Sequence, residues 1–206
     1  MVRLGELDFS TEPDCDPENP NDCADRHIDV PIDSLLAHPQ FEGRAGAFAH
    51  DIALVQMSRA IPTTNFVRPI CLPLDIGRLQ GGQNAAVGQR TYIVGWGRSE
   101  ESVGSFTPVL QEAAINVVPK SSCERLFRRS LKSTGLGNRV CAGNSGIDTC
   151  RGDSGGPLMV HDGTGRKWYL VGVTSFGTRD CGRNPAVYTR VTDYVDWVRD
   201  SLRARL

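Results

Sequence analysis

Short apolar runs, each bounded by turn-forming residues, recur along this chain of 206 residues. They comprise three to six residues each, a length that is usual for a strand and too short for a typical helix. The sequence therefore predicts an all-β body. The runs cover residues 52–55, 92–94, 114–118, 157–160, 168–173 and 186–188.

Three other segments carry different signals. Residues 161–165 are His-Asp-Gly-Thr-Gly, which predicts the turn of a β-hairpin. Residues 80–89 are rich in glycine and predict a loop that bridges two lobes. Residues 192–206 predict a C-terminal helix, because apolar side chains recur there at helical spacing. Asp193 near its start and Arg203 and Arg205 near its end complement the helix dipole.

Composition and charge narrow the classes of function. A hydrophobic content of 39% allows a sizeable core, in one domain or in two lobes. The net charge of −1 argues against a nucleic acid as the partner. No apolar run reaches the roughly eighteen residues of a transmembrane helix, so no membrane partner is expected. Residues 1–20 lack the apolar core of a secretory signal.

The chain has seven cysteines, and none lies in a Cys-x-x-Cys pair. This spacing argues against a zinc site or thioredoxin-like chemistry and favours disulfides formed in an oxidising compartment. The alternative is a cytosolic protein with free thiols.

A glycine-rich motif, Gly152-Asp153-Ser154-Gly155-Gly156, places a serine on a tight turn. An acyl-transfer nucleophile needs such an exposed Oγ, with backbone N–H groups aimed at the oxygen that becomes negatively charged. The N–H groups of Gly152 and Ser154 are candidates for this oxyanion hole. Gly155 and Gly156 lack a Cβ, so their backbone can approach a substrate peptide closely. The alternative is an ordinary glycine-rich β-turn.

Together with other segments, this motif resembles the trypsin/chymotrypsin-type serine proteases, and most of all the clip-domain serine proteases of arthropods. The resemblance implies a double six-stranded antiparallel Greek-key β-barrel followed by a C-terminal helix. The matching segments occur in the family's order: 2–6 (Val-Arg-Leu-Gly-Glu), 50–54 (His-Asp-Ile-Ala-Leu), 68–73 (Arg-Pro-Ile-Cys-Leu-Pro), 94–97 (Val-Gly-Trp-Gly), 152–156, 174–177 (Thr-Ser-Phe-Gly) and 187–191 (Val-Tyr-Thr-Arg-Val).

Two parts of the family's pattern are missing. Family members begin with an apolar Ile-Val-Gly-Gly type of terminus, and they carry the catalytic histidine in a Thr-Ala-Ala-His-Cys segment. We therefore expect a trypsin-like peptidase domain over residues 1–206 that lacks its N-terminal part. It would comprise a partial first barrel at 1–78, and the second barrel and helix at 79–206. A fragment, an alternative transcript or a truncated gene model would each account for this.

None of the four histidines has the context of the catalytic base. His50 adjoins Asp51, and neighbouring residues point in different directions, so His50 is not expected to bridge Asp51 to Ser154. His27, His38 and His50 are interpreted as solvated surface residues.

The resemblance implies that Asp51 is the acid and Ser154 the nucleophile of a catalytic triad. Asp51 precedes an apolar strand, where a carboxylate can be shielded enough to hold an imidazole in one tautomer. Asp148, six residues before Ser154, is the implied floor of the substrate pocket, where a carboxylate pairs with Arg or Lys. Ser175 and Gly177 are implied pocket walls.

Two further residues bear on the specificity of the implied pocket and on activation. Ala186 also lines the implied pocket, where trypsin-like members usually have glycine, and its methyl group takes room from a guanidinium. A preference for Arg over Lys is therefore in doubt. Asp153 is the implied partner of the α-amino group that activation cleavage releases. Because this chain shows no such terminus, Asp153 is expected to lack a partner and the site to resemble a zymogen.

The resemblance also implies the disulfide pairing. It pairs Cys15 with Cys23, Cys123 with Cys141, and Cys150 with Cys181. Cys71 is left over, and in the family its position is bonded to a regulatory segment that lies upstream.

Two clusters of charge leave alternatives open. The acidic stretch from Glu6 to Asp25 follows Leu-Gly-Glu, where trypsin-like proteases often bind calcium, so Glu6 is a possible calcium ligand. A solvated acidic loop is the alternative, and no cofactor is otherwise required. Arg125, Arg128 and Arg129 are interpreted as the exposed face of a short helix, with a partner surface as the alternative.

Two functions fit these residues. The first is a secreted, extracellular serine endopeptidase of a zymogen cascade that cleaves protein substrates, zymogens among them, after Arg or Lys. Its partners would include serpin-type inhibitors and the upstream segment held through Cys71. The second is a non-catalytic protease homologue that acts as a binding cofactor in such a cascade. The intact Ser154 and Asp148 favour the first.

Overall fold

β-Strands form most of the regular structure in this chain. The structure is a computed structural model that describes residues 1–16, 18–43, 48–74, 85–98, 106–131, 135–144, 146–163 and 166–204. The strands are β1 (Val2–Leu4), β2 (Cys15–Asp16), β3 (Asn19–Cys23), β4 (Ile28–Val30), β5 (Ile32–Ala37), β6 (Ala53–Met57), β7 (Arg90–Gly95), β8 (Gln111–Asn116), β9 (Arg139–Ala142), β10 (Pro157–His161), β11 (Trp168–Phe176) and β12 (Ala186–Arg190). The helices are α1 (Lys120–Leu126), α2 (Arg128–Leu131) and α3 (Val195–Arg203), with a 3₁₀ turn at Val191–Tyr194.

One curled antiparallel sheet carries the core. Its six strands lie in the order β8-β7-β10-β11-β12-β9. An antiparallel bridge between Val117, which follows β8, and Ala142 of β9 joins the two edges of the sheet. The largest buried cluster lies inside this barrel and includes Ile115, Leu158 and Tyr188, none of which is measurably exposed. Burial of these apolar side chains stabilises the barrel and fixes the strand register.

The N-terminal part of the chain is organised differently. Its strands form three two-stranded sheets, β1-β4, β2-β3 and β5-β6. Leu35 and Val55 face each other across the β5-β6 pair, yet 66% and 47% of their surfaces are exposed. The fold is therefore mostly β, with a curled antiparallel sheet and a C-terminal helix, as expected from the sequence.

The C-terminal helix packs on the barrel through one face. Tyr194 and Val198 are buried, whereas Leu202 is exposed. Asp196 lies in the first turn of α3 and Arg203 in its last, which complements the helix dipole. Within the described residues, no helix has the length and apolar character that crossing a bilayer requires. Residues 80–84 of the predicted bridging loop, residues 164–165 of the predicted hairpin turn and Arg205 lie outside the described ranges.

Candidate active site

Four backbone hydrogen bonds shape the turn that carries Ser154. The N–H of Asp153 donates to the carbonyl of Cys150 (3.1 Å), and the N–H of Gly156 donates to Asp153 (2.8 Å). Gly155 and Gly156 both bond to Thr174 of β11, at 3.0 and 2.9 Å, so the turn is attached to the sheet. Gly155 has φ = +83°, a conformation that side chains rarely adopt, which explains why glycine is required there.

The two predicted oxyanion donors are the N–H groups of Gly152 and Ser154. Among the described residues, neither the N–H of Gly152 nor that of Ser154 donates to a protein acceptor. The carbonyl of Arg151, in the same peptide unit as the Gly152 N–H, accepts a hydrogen bond from the N–H of Arg98 (3.0 Å). The C=O and N–H of a trans peptide point in opposite directions, so the Gly152 N–H points away from Arg98.

Asp153 has two backbone partners. Its carboxylate accepts hydrogen bonds from the N–H of Gly97 (2.8 Å) and the N–H of Cys150 (2.9 Å). A Cβ on Gly95 would lie 2.0 Å from this carboxylate, and a Cβ on Gly97 would lie 2.4 Å from it. Both positions therefore require glycine. These backbone donors satisfy the oxygens of Asp153 without the α-amino group that the resemblance implies as its partner.

Asp51 and Ser175 contact each other, which the sequence analysis did not foresee. The Ser175 hydroxyl donates to Oδ2 of Asp51 at 2.6 Å, and the Thr189 hydroxyl donates to the Asp51 carbonyl at 2.7 Å. Asp51 precedes β6, Ser175 lies in β11 and Thr189 in β12. Ser175 thus holds a catalytic candidate in place, besides its predicted place in the pocket wall.

The histidines of the first part of the chain have protein partners. Nδ1 of His50 lies 3.1 Å from the hydroxyl of Tyr194, and its ring stacks on His38 with centroids 4.9 Å apart. Burial and the nearby His50 lower the pKa of His38. His27 lies against Glu12, and all three side chains are half-buried, so these surface histidines are also engaged by protein groups.

Asp148 is half-buried and lies six residues before Ser154. Its Oδ1 accepts hydrogen bonds from the N–H of Thr149 (2.7 Å) and the hydroxyl of Tyr188 (3.0 Å). Burial raises the pKa of Asp148 to about 6, although these hydrogen bonds act in the opposite direction. Burial also raises the pKa of Tyr188, and the neighbouring Asp148 adds to this effect. The charged form of Asp148 is thus less favourable here than in water, a cost that a cationic ligand would offset.

Gly177 and Ala186, two of the predicted pocket residues, lie next to each other. A Cβ on Gly177 would approach the Ala186 methyl group to 3.4 Å, so these two residues face each other across a narrow space. A Cβ on Gly143 would lie 2.7 Å from Cα of Pro185 and 3.4 Å from Oδ2 of Asp148. Gly143, which the sequence analysis missed, therefore leaves room near the carboxylate.

A cavity of about 400 Å³ reaches both acidic residues. Asp148 and Asp153 line it, together with Gly95, Gly97 and Ile147 among others. Its apolar lining includes Ile93 and Ala113, whereas Glu112 and Arg98 add a further negative and a positive charge. Such a space suits a cationic group that is attached to an apolar segment.

Three disulfides cross-link the chain. They join Cys15 to Cys23, Cys123 to Cys141, and Cys150 to Cys181, which are the implied pairs. The last disulfide connects the Ser154 turn to the segment between β11 and β12. Cys71 is a half-buried free thiol, and its backbone bonds to Trp168 and Leu170 of β11 at 3.0 Å each.

Protein groups engage the acidic side chains around Glu6. One oxygen of Glu6 lies 3.2 Å from Arg3, and the other accepts the N–H of Leu7. The carboxylate of Asp14 accepts the N–H groups of Leu7 and Asp8. Within the described residues, no group of three or more His, Cys, Asp or Glu side chains is arranged to hold a metal ion.

The comparisons with known proteins agree with this geometry. The sequence model of the trypsin family matches residues 20–198. Melanization protease 1 of Drosophila melanogaster is 35% identical over 98% of this chain, and spaetzle-processing enzyme of the same organism is 39% identical over 98%. The chain spans about half the length of these relatives, 51% and 50%.

Two solved structures share the fold. The Drosophila Grass clip serine protease of the Toll pathway superposes with a TM-score of 0.79 at 32% identity, over 99% of this chain and 57% of that one. Mouse neuropsin, a serine protease expressed in the limbic system, gives 0.74 at 28% identity, over 97% and 78%. The chain therefore belongs to the trypsin family of serine proteases.

Proposed function

We propose that this chain supplies the nucleophile, the triad acid and the specificity pocket of a serine endopeptidase that cleaves after basic residues. Ser154 would attack the peptide carbonyl, and the N–H groups of Gly152 and Ser154 would stabilise the resulting oxyanion. Asp51, oriented by Ser175, would hold the imidazole of a histidine base in one tautomer.

The buried carboxylate of Asp148 carries this proposal. A carboxylate that burial alone makes unfavourable gains most from a cationic partner, because the ligand's charge replaces the lost solvation. An Arg or Lys side chain would provide that charge. The Ala186 methyl group narrows the space beside Gly177, so the slimmer Lys would be tolerated well relative to the branched guanidinium.

Asp153 is the residue proposed to control the activation of this enzyme. An α-amino group released by activation cleavage would enter the cavity beside Asp153 and pair with its carboxylate, while the apolar lining would receive the first side chain. The N–H donors of Gly97 and Cys150 already orient that carboxylate. The proposed enzyme therefore works in a zymogen cascade.

A non-catalytic cofactor is the second candidate, and the histidines favour it. His50 is adjacent to Asp51 in the sequence, but Tyr194 and His38 engage its ring. Among the described residues, no histidine bonds to Asp51 or Ser154. An upstream segment with a Thr-Ala-Ala-His-Cys type of sequence would support the enzyme, and its absence from the transcript would support the cofactor.

We also propose where the protein works and what it binds. Three disulfides indicate an oxidising compartment, so we place the protein outside the cell. Its partners would be protein substrates such as zymogens, serpin-type inhibitors, and a regulatory segment bonded to Cys71. Arg3 and the N–H of Leu7 engage the Glu6 carboxylate, and no step of the proposed reaction involves a calcium ion.

The test joins the chain to a histidine-bearing first-barrel segment and measures cleavage of peptide libraries after activation. We expect cleavage after Lys and Arg, with the Arg-to-Lys ratio raised by Ala186→Gly because the methyl group is removed. Asp148→Ser should abolish the basic preference.

Asp180→Ser, which alters an exposed acid in the segment after β11, is the matched control and should leave the profile unchanged. A preference for large aromatic residues in the unmutated protein would contradict the pocket assignment. Absence of all cleavage, despite a paired histidine and a labelled Ser154, would favour the cofactor.

A further inference from the structure

An aromatic side chain lies directly on the predicted oxyanion loop. A Cβ added to Gly152 would lie 2.4 Å from Cε1 and 2.9 Å from Cδ1 of Phe106, so the ring covers this face of Gly152. On another side the same Cβ would lie 3.2 Å from Cα of Gly97. Gly152 is therefore held between an aromatic ring and a neighbouring backbone.

The backbone of Gly152 is itself in an unusual state. Its φ is +105°, which L side chains rarely adopt and which glycine tolerates. Glycine also permits other conformations at little cost, so nothing within this residue keeps the Arg151–Gly152 peptide in one orientation. The neighbours of Gly152 must do so.

Arg98 links the ring to that peptide. The N–H of Arg98 donates to the carbonyl of Arg151 at 3.0 Å, and the backbone of Arg98 forms an antiparallel bridge with Phe106. The guanidinium of Arg98 also lies over the Phe106 ring, 5.9 Å from its centroid. The backbone N–H of Arg98 thus holds the carbonyl of Arg151. Its guanidinium contacts the Phe106 ring that covers Cα of Gly152.

Burial does not explain the position of Phe106. Its side chain is 60% exposed and contributes to neither buried core cluster. A large apolar side chain at the surface gains little free energy from burial there. Its contact with Gly152 is the specific interaction that it makes with the site.

We propose that Phe106 is a positioning residue for the oxyanion hole. Its ring, held by Arg98, blocks rotation of the Arg151–Gly152 peptide and so keeps the Gly152 N–H directed away from Arg98, toward the place of a substrate carbonyl oxygen. This inference rests on the proposed function, because an oxyanion hole has meaning only for an acyl-transfer site. Without the Phe106 ring, the Arg151–Gly152 peptide would be free to rotate. The carbonyl of Arg151, instead of the N–H of Gly152, would then point toward the substrate's carbonyl oxygen.

The test observes this peptide directly in the chain of 206 residues. The dipeptide Arg-Gly occurs once in the sequence, at 151–152. Labelling arginine carbonyls with ¹³C and glycine nitrogens with ¹⁵N therefore gives one carbonyl-to-amide NMR correlation. We expect a single sharp peak in the unmutated chain. In Phe106→Ala, we expect the peak to split or to be lost through exchange on the microsecond-to-millisecond scale.

The conservative variant and the control make the result specific. Phe106→Tyr keeps the ring and should restore the single peak. Phe66→Ala removes an aromatic side chain of similar exposure, 49%, at a distant position in the sequence and should leave the peak unchanged. If Phe106→Ala does not fold, Phe106→Leu, which lacks the flat face, replaces it in the comparison. An unchanged sharp peak in a folded variant without the ring would overturn the proposal.

A second measurement on the same samples separates this inference from the proposed function. Fluorescence of p-aminobenzamidine, an aromatic amidine, reports occupation of the Asp148 pocket. If the unmutated chain does not bind it, the proposed basic specificity fails, whereas the Gly152 peak still shows whether Phe106 fixes the peptide. If binding is present and Phe106→Ala changes only the Gly152 peak, both proposals are supported.

Discussion

Replacing Asp148 by asparagine tests whether the charged carboxylate that would bind a cationic substrate also lowers the stability of the folded chain. Burial raises the pKa of Asp148 from 3.8 to about 6. The folded chain therefore binds this proton more tightly than the unfolded chain does. The contribution of this group to stability is largest below pH 4 and is lost as the pH rises through about 6.

The size of the effect follows from the shift. At about 1.4 kcal/mol per pKa unit, the ionised Asp148 lowers the free energy of unfolding by roughly 3 kcal/mol above pH 6. Asparagine stays neutral at every pH, and its oxygen can still accept the N–H of Thr149 and the hydroxyl of Tyr188. We expect Asp148→Asn to be more stable than the parent at pH 8, and the difference to shrink as the pH falls toward 4.

Urea unfolding of both proteins between pH 4 and pH 8 measures this difference. Asp180→Asn, an exposed acid, serves as the control and should match the parent throughout. The same asparagine should abolish binding of p-aminobenzamidine, because the amidinium loses its counter-charge. A variant that is less stable at pH 8, or a difference that does not vary with pH, would refute the reasoning.

Three further outcomes are expected of the chain. Expressed alone, it should not hydrolyse amides of Arg or Lys, because no histidine bonds to Ser154 among the described residues; efficient labelling by a fluorophosphonate would contradict this. Ser175→Ala should lower the free energy of unfolding by about 1–2 kcal/mol in urea titrations, because Oδ2 of Asp51 loses its donor, whereas Ser10→Ala in an exposed turn should cost less. Alkylation and peptide mapping should find one free thiol, at Cys71, and a disulfide from Cys71 to another cysteine of this chain would overturn the pairing.

Much of the site could be predicted because its signals are local. Ser154 and its glycines are contiguous, and the strained φ of Gly155 is a property of one residue that only glycine meets cheaply. The β11 and β12 strands were likewise predicted from apolar runs, because the period of side chains along a strand is written in the sequence. The backbone donors of Asp153, the N–H groups of Gly97 and Cys150, could not be predicted because they reach its carboxylate only when the chain is folded.

The sequence by itself determined the class of fold, the candidate nucleophile and the number of cysteines, since each depends on residue type and spacing along the chain. The tertiary structure alone decided that Ser175 bonds to Asp51, across 124 residues, and that Tyr188 bonds to Asp148, across 40. It also decided that Phe106 covers Gly152. A hydrogen bond or a ring contact forms only within a few ångströms, and packing of the strands around the core, not spacing in the sequence, brings such groups within reach.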